Sequence, residues 1–510
     1  MMKVILAGHS LEREVVGELL AGTYQGDDPP SPETIAAAYA RISRYPEPVD
    51  ELRASARADV AAARRSNRTI VFGMGHHSIA EHVQVNFDVM GISRLALEAL
   101  EEARLCSYTE KSQRYITIDG GLVTPAEYGE EERELLQRTA AAQLQLYRQA
   151  LPRLHAHQRA LHPEMEATAR DREAVEGWAK EDARYALGLS CEAQLGFSAN
   201  ARNLEHVIRK LRYHPLAEAR ELGSRLYAEA AQVIPSLIIH SDPEKYRAAF
   251  GREISDGHLR LAPAELAAAS AALLGRWPAT HAEGGAALRS GEVRLVDHSP
   301  DPDLAVCAAL LFAGTGQPHG ECVSAARRAR EEDEQGFAGF VLSALHTLTA
   351  YDPVPRAFEA ATFAFEIELS ASAFAQLKRH RLATLLKQPY DPALPCTIPD
   401  SVVETGLQDD FLRVLAQSAE AHARVRQSVG AAAAEYLLTN AHRRRVLFVC
   451  NLRELYHIAR VRMDRHAQWD IRRIAADLVA LAGRVAPVAT SLATGKDGFA
   501  ARRTRAFSGG

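Results

Sequence analysis

Residues 451–457 read Asn-Leu-Arg-Glu-Leu-Tyr-His, and residues 200–206 read Asn-Ala-Arg-Asn-Leu-Glu-His. Five of these seven positions agree when Ala201 and Leu452 count as equivalent apolar residues, and the segments lie 251 residues apart (451 − 200). Two segments this similar in one chain indicate an internal duplication. Since 510 residues are enough for two or three domains of ~150 residues, we expect two copies of one folding unit.

A second pair of matching segments lies upstream of the first pair. Residues 83–89 (Val-Gln-Val-Asn-Phe-Asp-Val) and 362–369 (Thr-Phe-Ala-Phe-Glu-Ile-Glu-Leu) alternate apolar and polar side chains. This period of two predicts half-buried β-strands. The matching stretches continue to Arg104 and Arg381 at an offset of 277 (381 − 104), so the two copies differ by loop insertions.

Helices are expected to fill most of the remaining chain. Residues 470–479, for example, carry apolar side chains at helical spacing in a stretch of good helix formers. We place a first copy at 1–250, a linker at 251–290 and a second copy at 291–510. The linker contains the turn-forming stretch 275–285, which is rich in Gly and contains Pro.

Composition and charge exclude several classes of protein. The net charge of -5 gives no basic footprint for a nucleic acid. The six cysteines form no C-x-x-C pair, which indicates reduced thiols without disulfides or structural zinc. There is no apolar run of about 18 residues and no visible export signal. We therefore expect a cytoplasmic protein that binds neither nucleic acid nor membrane.

Two polar clusters lie in the first copy, and each has a structural alternative. The run 75–82, Gly-His-His-Ser-Ile-Ala-Glu-His, lacks the H-E-x-x-H spacing of a zinc site and could simply cap a helix. In 107–115, Glu110, Ser112 and Arg114 occupy alternate positions and would share one side of an extended loop. Such a row can bind a phosphate and a polar base, but an exposed strand face explains it equally well.

Two further clusters lie in the second copy. Residues 376–381, Gln-Leu-Lys-Arg-His-Arg, concentrate cations that suit an anionic phosphate, although a solvated helix face is the structural alternative. Asn451, Arg453 and Arg462 lie on a helix that leads to 467–472, Ala-Gln-Trp-Asp-Ile-Arg. A buried helix with snorkelling arginines would show the same pattern.

In their order along the chain, these segments resemble the ThyX family, the flavin-dependent thymidylate synthases. The second copy carries the family's later motifs: Gln376, Arg379-His380-Arg381, Asn451-x-Arg453, Arg462 and 467–472. The first copy carries mainly the earlier ones: His76, Ser78, Glu81-His82, Ser107, Glu110, Ser112, Arg114-Tyr115, Arg184 and Asn200-x-Arg202. The resemblance covers most of both copies. It implies an α+β fold of two tandem ThyX-like domains, each a mostly antiparallel sheet with packed helices, together forming a pseudo-dimer.

Neither copy has the complete set of family residues. The first has Glu102-Ala103-Arg104 in place of Arg-His-Arg and Leu211 in place of Arg462. The second has other residues in place of Ser78 and the polar row: Arg356, Lys387, Pro389 and Asp391. Because ThyX sites are built between subunits, the resemblance implies one composite site between the copies, a dead reciprocal site, and a homodimer that imitates the family tetramer.

The resemblance also assigns roles to residues. The cofactor would be FAD, bound by His76, Ser78, Glu110, Asn200, Arg202, His206, Arg379, His380 and Arg381. The substrate dUMP would be bound by Ser112, Gln113, Arg114, Arg184, Gln376 and Arg462, with Arg462 as the catalytic residue. Methylenetetrahydrofolate and NADPH would complete the conversion of dUMP to dTMP, without a metal ion.

The sequence is also compatible with two alternative functions. The chain could be a catalytically inactive or repurposed ThyX homologue that binds flavin or nucleotide. It could also be a related flavin enzyme that transfers a one-carbon unit to another pyrimidine or to RNA uridine, although the near-neutral charge disfavours a polynucleotide substrate.

Overall fold

Two antiparallel β-sheets organise the computed structural model, which describes residues 1–25, 30–260, 262–277 and 288–507. The first sheet has the order β1-β2-β4-β3 and the second the order β5-β6-β7-β9-β8. The strands are β1 (Lys3–His9), β2 (Gln84–Ser93), β3 (Ser107–Glu110), β4 (Glu192–Asn200), β5 (Leu288–Ser290), β6 (Val293–His298), β7 (Thr362–Ser370), β8 (Thr384–Lys387) and β9 (Arg443–Asn451). The predicted α+β fold with antiparallel sheets is confirmed.

The repeat is visible in the register of the two sheets. In the first sheet Gln84 of β2 lies opposite Asn200 of β4, and in the second Thr362 of β7 lies opposite Asn451 of β9. The side chains alternate as expected, since Phe87 is 1% exposed in β2 and its neighbours on either side are more exposed. Each fully buried apolar side chain of this kind stabilises the fold by about 1.5–3 kcal/mol.

Helices surround both sheets. Those of the first copy are α1 (Arg13–Ala21), α2 (Glu33–Arg41), α3 (Val49–Ala58), α4 (Val60–Asn67), α5 (Arg94–Leu100), α6 (Glu130–Leu161), α7 (Ala169–Ala183), α8 (Ala201–Arg212), α9 (Ala217–Ala230) and α10 (Pro243–Phe250). Those of the second copy are α13 (Pro302–Gly314), α14 (His319–Glu332), α15 (Glu334–Ser343), α16 (Ala371–Leu377), α17 (Asp400–Glu404), α18 (Gln408–Ser428), α19 (Ala431–Ala434), α20 (Leu452–Arg462), α21 (Trp469–Val485) and α22 (Phe499–Phe507). In the described part of the chain, no helix combines the length and the apolar character needed to cross a membrane.

The predicted linker at 251–290 is partly regular. It contains α11 (Gly257–Arg260), α12 (Ala262–Arg276) and the strand β5. Most of the turn-forming stretch singled out in the sequence, residues 278–285, lies outside the described residues.

The chain folds into two compact units, and each takes one segment from the other copy. Unit 1 comprises Met1–Gln145, Leu187–Ala279 and Gln417–Leu437, and unit 2 comprises Leu146–Ala186, Thr280–Ala416 and Leu438–Gly510. The transferred segments end at equivalent positions of the repeat, Ala186 and Leu437, which are 251 residues apart (437 − 186). The copies at 1–250 and 291–510 remain a prediction about the sequence repeat, and the compact units are built from parts of both.

Inside each unit, a tyrosine from one copy donates to a buried acid from the other. In unit 2 the Tyr185 hydroxyl donates to Asp470 Oδ2 over 2.9 Å, and Ser370 Oγ donates to the same oxygen over 2.6 Å. In unit 1 Tyr436 donates to Glu218 Oε2 over 2.6 Å, as does the hydroxyl of Ser93. Both serines also cap a helix, α16 and α5 respectively.

Candidate functional site

A cleft of about 320 Å³ opens in unit 2 beside α20. Its walls come from three segments: the residues after α16, the residues before β7, and α20 itself. The basic side chains that line it are Arg379, Arg381, Arg453, His457 and Arg460. Arg379 and Arg381, both predicted from the sequence, are exposed. Guanidinium groups at this density suit a phosphate or another planar anion.

The cleft depends on how α20 begins. Asn451 ends β9, and its Oδ1 accepts from the backbone N–H of Glu454 over 2.9 Å, which is an N-cap. Arg453 in the first turn then donates from Nη1 to Glu359 over 3.0 Å and from Nε to the carbonyl of Val354 over 3.0 Å. Arg453 thereby joins the start of α20 to the segment before β7.

His380 lies in the chain between Arg379 and Arg381, which line the cleft, and is itself buried, at 5% exposure. Its Nε2 lies 3.0 Å from Nε of Arg462, and its Nδ1 lies 3.2 Å from Oε1 of Glu454. Because arginine can only donate, Nε2 must accept, so the ring proton is on Nδ1 and is donated to Glu454. Burial lowers the pKa of His380 even though the Glu454 carboxylate opposes the effect, which keeps the ring neutral.

Arg462 also contacts Gln376, which is predicted from the sequence to bind the substrate. Its Nη2 donates to the backbone carbonyl of Gln376 over 3.1 Å. The Gln376 side chain lies 3.5 Å from Gln468, whose Nε2 donates to the Tyr185 hydroxyl over 2.8 Å. Tyr185 follows Arg184, a predicted substrate ligand from the first copy that is buried in the same unit. Unit 2 therefore brings together predicted residues of both copies.

Two residues of this cluster were missed in the sequence. Glu454 carried a usable signal, because it belongs to the buried positions of α20 together with Leu455 and Ile458. An acidic residue among buried apolar ones usually has a charged or hydrogen-bonding partner. Tyr185 carried no such signal, since its acceptor Asp470 is 285 residues away in the chain.

The predicted polar row lies in unit 1 and is not fully extended. Strand β3 ends at Glu110, whose carboxylate pairs with Arg94 over 2.8 Å. Ser112 then begins a turn, because its Oγ accepts from the backbone N–H of Arg114 over 3.1 Å. The expectation of a continuous extended loop from Glu110 to Arg114 is therefore wrong. Gln113 inside the turn is buried, and the Arg114 guanidinium lies 5.6 Å from the Tyr115 ring centroid.

The remaining predicted residues also lie in unit 1. His76 and Ser78 are exposed and lie before and within a short 3-10 helix, while His206 is exposed on α8. Arg202 of α8 forms an ion pair with Glu81, which connects α8 to this 3-10 helix. In the part of the chain that the structure describes, there is no group of three His, Cys, Asp or Glu side chains that could hold a metal ion.

Known proteins resemble this chain over about the length of one copy or over most of the chain. A flavin-dependent thymidylate synthase of Geobacter sulfurreducens is 31% identical over 207 residues, which cover 38% of this chain and 84% of that protein. One from Clostridium tetani is 27% identical over 218 residues, covering 42% and 84%. The UPF0159 protein of Thermoplasma acidophilum is 25% identical over 444 residues, covering 80% and 84%. Matches of both lengths agree with a duplicated unit.

Among solved structures, a UMP/dUMP methylase, PolB from Streptomyces cacaoi bound with 5-Br dUMP, is 19% identical. The match covers 49% of this chain and 95% of that one, with a TM-score of 0.32, too low to compare the two arrangements. The family model described as thymidylate synthase complementing protein matches residues 26–236 and 294–488, one region in each copy. Because these regions span well over half of the chain, the protein belongs to this family, the ThyX family that its motifs resemble.

Proposed function

We propose that the protein is a flavin-dependent thymidylate synthase that converts dUMP to dTMP, with FAD as cofactor, methylenetetrahydrofolate as one-carbon donor and NADPH as reductant. The observation that carries this proposal is the cluster in unit 2, where Arg462 is held by His380 and Gln376 beside a basic cleft. The family membership and the relatives named flavin-dependent thymidylate synthase support the same reaction class.

The chemistry of the cleft fits the proposed cofactor. A volume of about 320 Å³ accommodates part of a dinucleotide, and Arg379, Arg381 and Arg453 supply donors for its phosphates. Bound FAD would supply hydride transfer, which no amino-acid side chain provides. His380 is buried and contacts protein groups, so it would support Arg462 rather than the flavin directly.

Arg462 is the group we propose to act on the substrate. A fixed guanidinium near the uracil carbonyl would stabilise negative charge that develops on N3 and O4, which makes the base a better acceptor for the one-carbon unit. The loss of one such preorganised donor lowers rates by about 10²–10³. Its contacts with His380 and with the carbonyl of Gln376 provide the required preorganisation.

We propose that the first copy supplies the rest of the dUMP ligands. Ser112, Gln113 and Arg114 in the turn after β3 and Arg184 before β4 have the donors that a nucleotide phosphate needs. The second copy has Pro389 and Asp391 in place of Ser112 and Arg114, so it lacks these groups. Both copies would therefore be needed for turnover, and the fused chain would assemble as a homodimer, which a monomer by light scattering would contradict.

The proposal is tested with purified full-length protein. We expect FAD absorbance that NADPH bleaches anaerobically, and release of tritium from 5-tritiated dUMP when methylenetetrahydrofolate is present. Flavin binding without tritium release would instead support an inactive or repurposed flavin-binding homologue. Colourless protein that FAD cannot reconstitute would contradict the proposal entirely.

A further inference from the structure

Glu454, His380 and Arg462 form a line of three hydrogen-bonded side chains, and Glu454 and His380 are almost fully buried in it. None of the three has a chemically equivalent counterpart in the other copy. At the matching positions the first copy has Asn203, Ala103 and Leu211. The three residues are thus present together in one copy and absent together from the other, which indicates that they work as a group.

We propose that Glu454 is a positioning residue that fixes the direction of the Arg462 guanidinium through His380. This inference rests on the proposed function, in which Arg462 acts on the substrate. Glu454 accepts the Nδ1 proton, and this contact orients the ring so that Nε2 presents its lone pair to Arg462. Glu454 is itself held in place, because its backbone N–H is bonded to the N-cap Asn451.

The arrangement requires a neutral His380. A proton on Nε2 would place two donors against each other and break the contact with Arg462. The charged or titratable groups around the ring are Glu454, Arg462 and His457 of α20, the last with its ring centroid 5.7 Å away, and the flanking Arg379 and Arg381. Of these, Glu454 raises the pKa of His380, whereas burial, Arg462 and His457 lower it.

Two substitutions separate the hydrogen bond from the charge. Glu454→Gln keeps an acceptor for Nδ1 but removes the carboxylate, so we expect kcat within a few-fold of wild type. In a plot of kcat against pH for Glu454→Gln, the fall in kcat at acid pH should begin at a lower pH than in wild type. The reason is that His380 loses the group that raises its pKa. Glu454→Leu removes the acceptor as well, and kcat should fall by about 10–100-fold, as expected for one misaligned hydrogen bond. The control is Glu366→Gln, which removes a surface ion pair with Arg294. It should change neither kcat nor the pH dependence of kcat.

A second measurement is independent of turnover. In ¹⁵N NMR spectra of the protein without cofactor, the His380 ring, assigned through His380→Asn, should be neutral with its proton on Nδ1. Its pKa should fall in Glu454→Gln. The Arg462 Nε–H, assigned through Arg462→Lys, should exchange slowly with solvent in wild type and rapidly in Glu454→Leu.

The outcomes distinguish this inference from the proposed function. An Nε2–H tautomer, an unchanged His380 pKa in Glu454→Gln, or a slowly exchanging Arg462 Nε–H in Glu454→Leu would overturn the positioning role. If the spectra agree but wild-type protein releases no tritium from dUMP, the positioning of Arg462 stands and the assignment as a synthase fails.

Discussion

The two copies begin equivalent helices in the same way but differ in the charged residues that those helices carry. Asn200 and Asn451 cap α8 and α20 in the same way, each accepting from a backbone N–H over 2.9 Å. Helix α20 has Arg462 near its end, whereas α8 has Leu211 at the matching position, and Leu211 is buried. The N-cap is thus present in both copies, whereas the guanidinium at the end of the helix is present only in the second.

The second copy also has a buried cation that the first copy lacks, near the start of β9, the strand between β7 and β8. Arg444 of β9 is 2% exposed, and its guanidinium carbon lies 3.5 Å from the ring centroid of Tyr390 and 4.7 Å from that of Phe374. The first copy has Ala193 at this position. A buried cation close to two aromatic rings stabilises the packing of the second copy through cation–π attraction, which Ala193 cannot provide.

The largest expected effect comes from Arg462→Ala. If only the second copy supplies the guanidinium, tritium release from dUMP should fall by about 10²–10³. The matched control is Arg104→Ala, an exposed arginine of the first copy at the position equivalent to Arg381, which should retain turnover. Equal losses of turnover in both variants would contradict the hypothesis that only the second copy supplies the catalytic guanidinium.

Arg114→Ala tests the contribution of the first copy. The loss of a charge-assisted bond to the dUMP phosphate should raise KM for dUMP by about 10–100-fold, as expected for 1.5–3 kcal/mol. Its counterpart Asp391 cannot bind a phosphate, so Asp391→Ala should leave this KM unchanged. Steady-state kinetics with varied dUMP measure both, and a higher KM in Asp391→Ala alone would reverse the assignment.

Arg381→Ala tests how much each copy contributes to binding the proposed cofactor. The side chain lines the basic cleft, and its removal should weaken FAD binding about tenfold, since one phosphate contact of several is lost. Arg104→Ala should bind FAD as wild type does. Fluorescence titration of the apoprotein with FAD gives both dissociation constants, and a matching loss in Arg104→Ala would show that the first copy binds cofactor in the same way.

Many of the strands and helix ends could be predicted, because the sequence patterns that predict them are local. The alternation in 362–369 predicts a strand, and the structure has β7 at Thr362–Ser370. The repeat around Asn451 and Asn200 predicts equivalent local structure in the two copies, and both asparagines are N-caps. These features depend on side chains only a few residues apart, which a single sequence displays directly.

The candidate site could be predicted only in part. The basic run 379–381 identified one wall of the cleft, but nothing in its spacing distinguishes the buried His380 from its exposed neighbours. The exchange of segments between the units was also beyond the sequence, because it rests on contacts such as that of Tyr185 with Asp470 across 285 residues. Tertiary packing decides such features, and local patterns do not encode them.

The last comparison concerns folding stability rather than turnover, and it uses the two exchanged tyrosines, Tyr185 and Tyr436. Tyr185→Phe keeps the ring stacked on Trp469 but removes one of the donors to Asp470 and the acceptor for Gln468. Buried polar groups left without a partner should lower the free energy of unfolding by about 1–3 kcal/mol.

Tyr436→Phe is the matched change in the other unit, and it should cost less, about 1 kcal/mol. Glu218 would keep two donors, the backbone N–H and the hydroxyl of Ser93, each at 2.6 Å. Urea denaturation followed by circular dichroism measures both variants, with the midpoint lower for Tyr185→Phe. The opposite order would mean that the hydroxyl of Tyr436, and not that of Tyr185, is the more important bond between an exchanged segment and its unit.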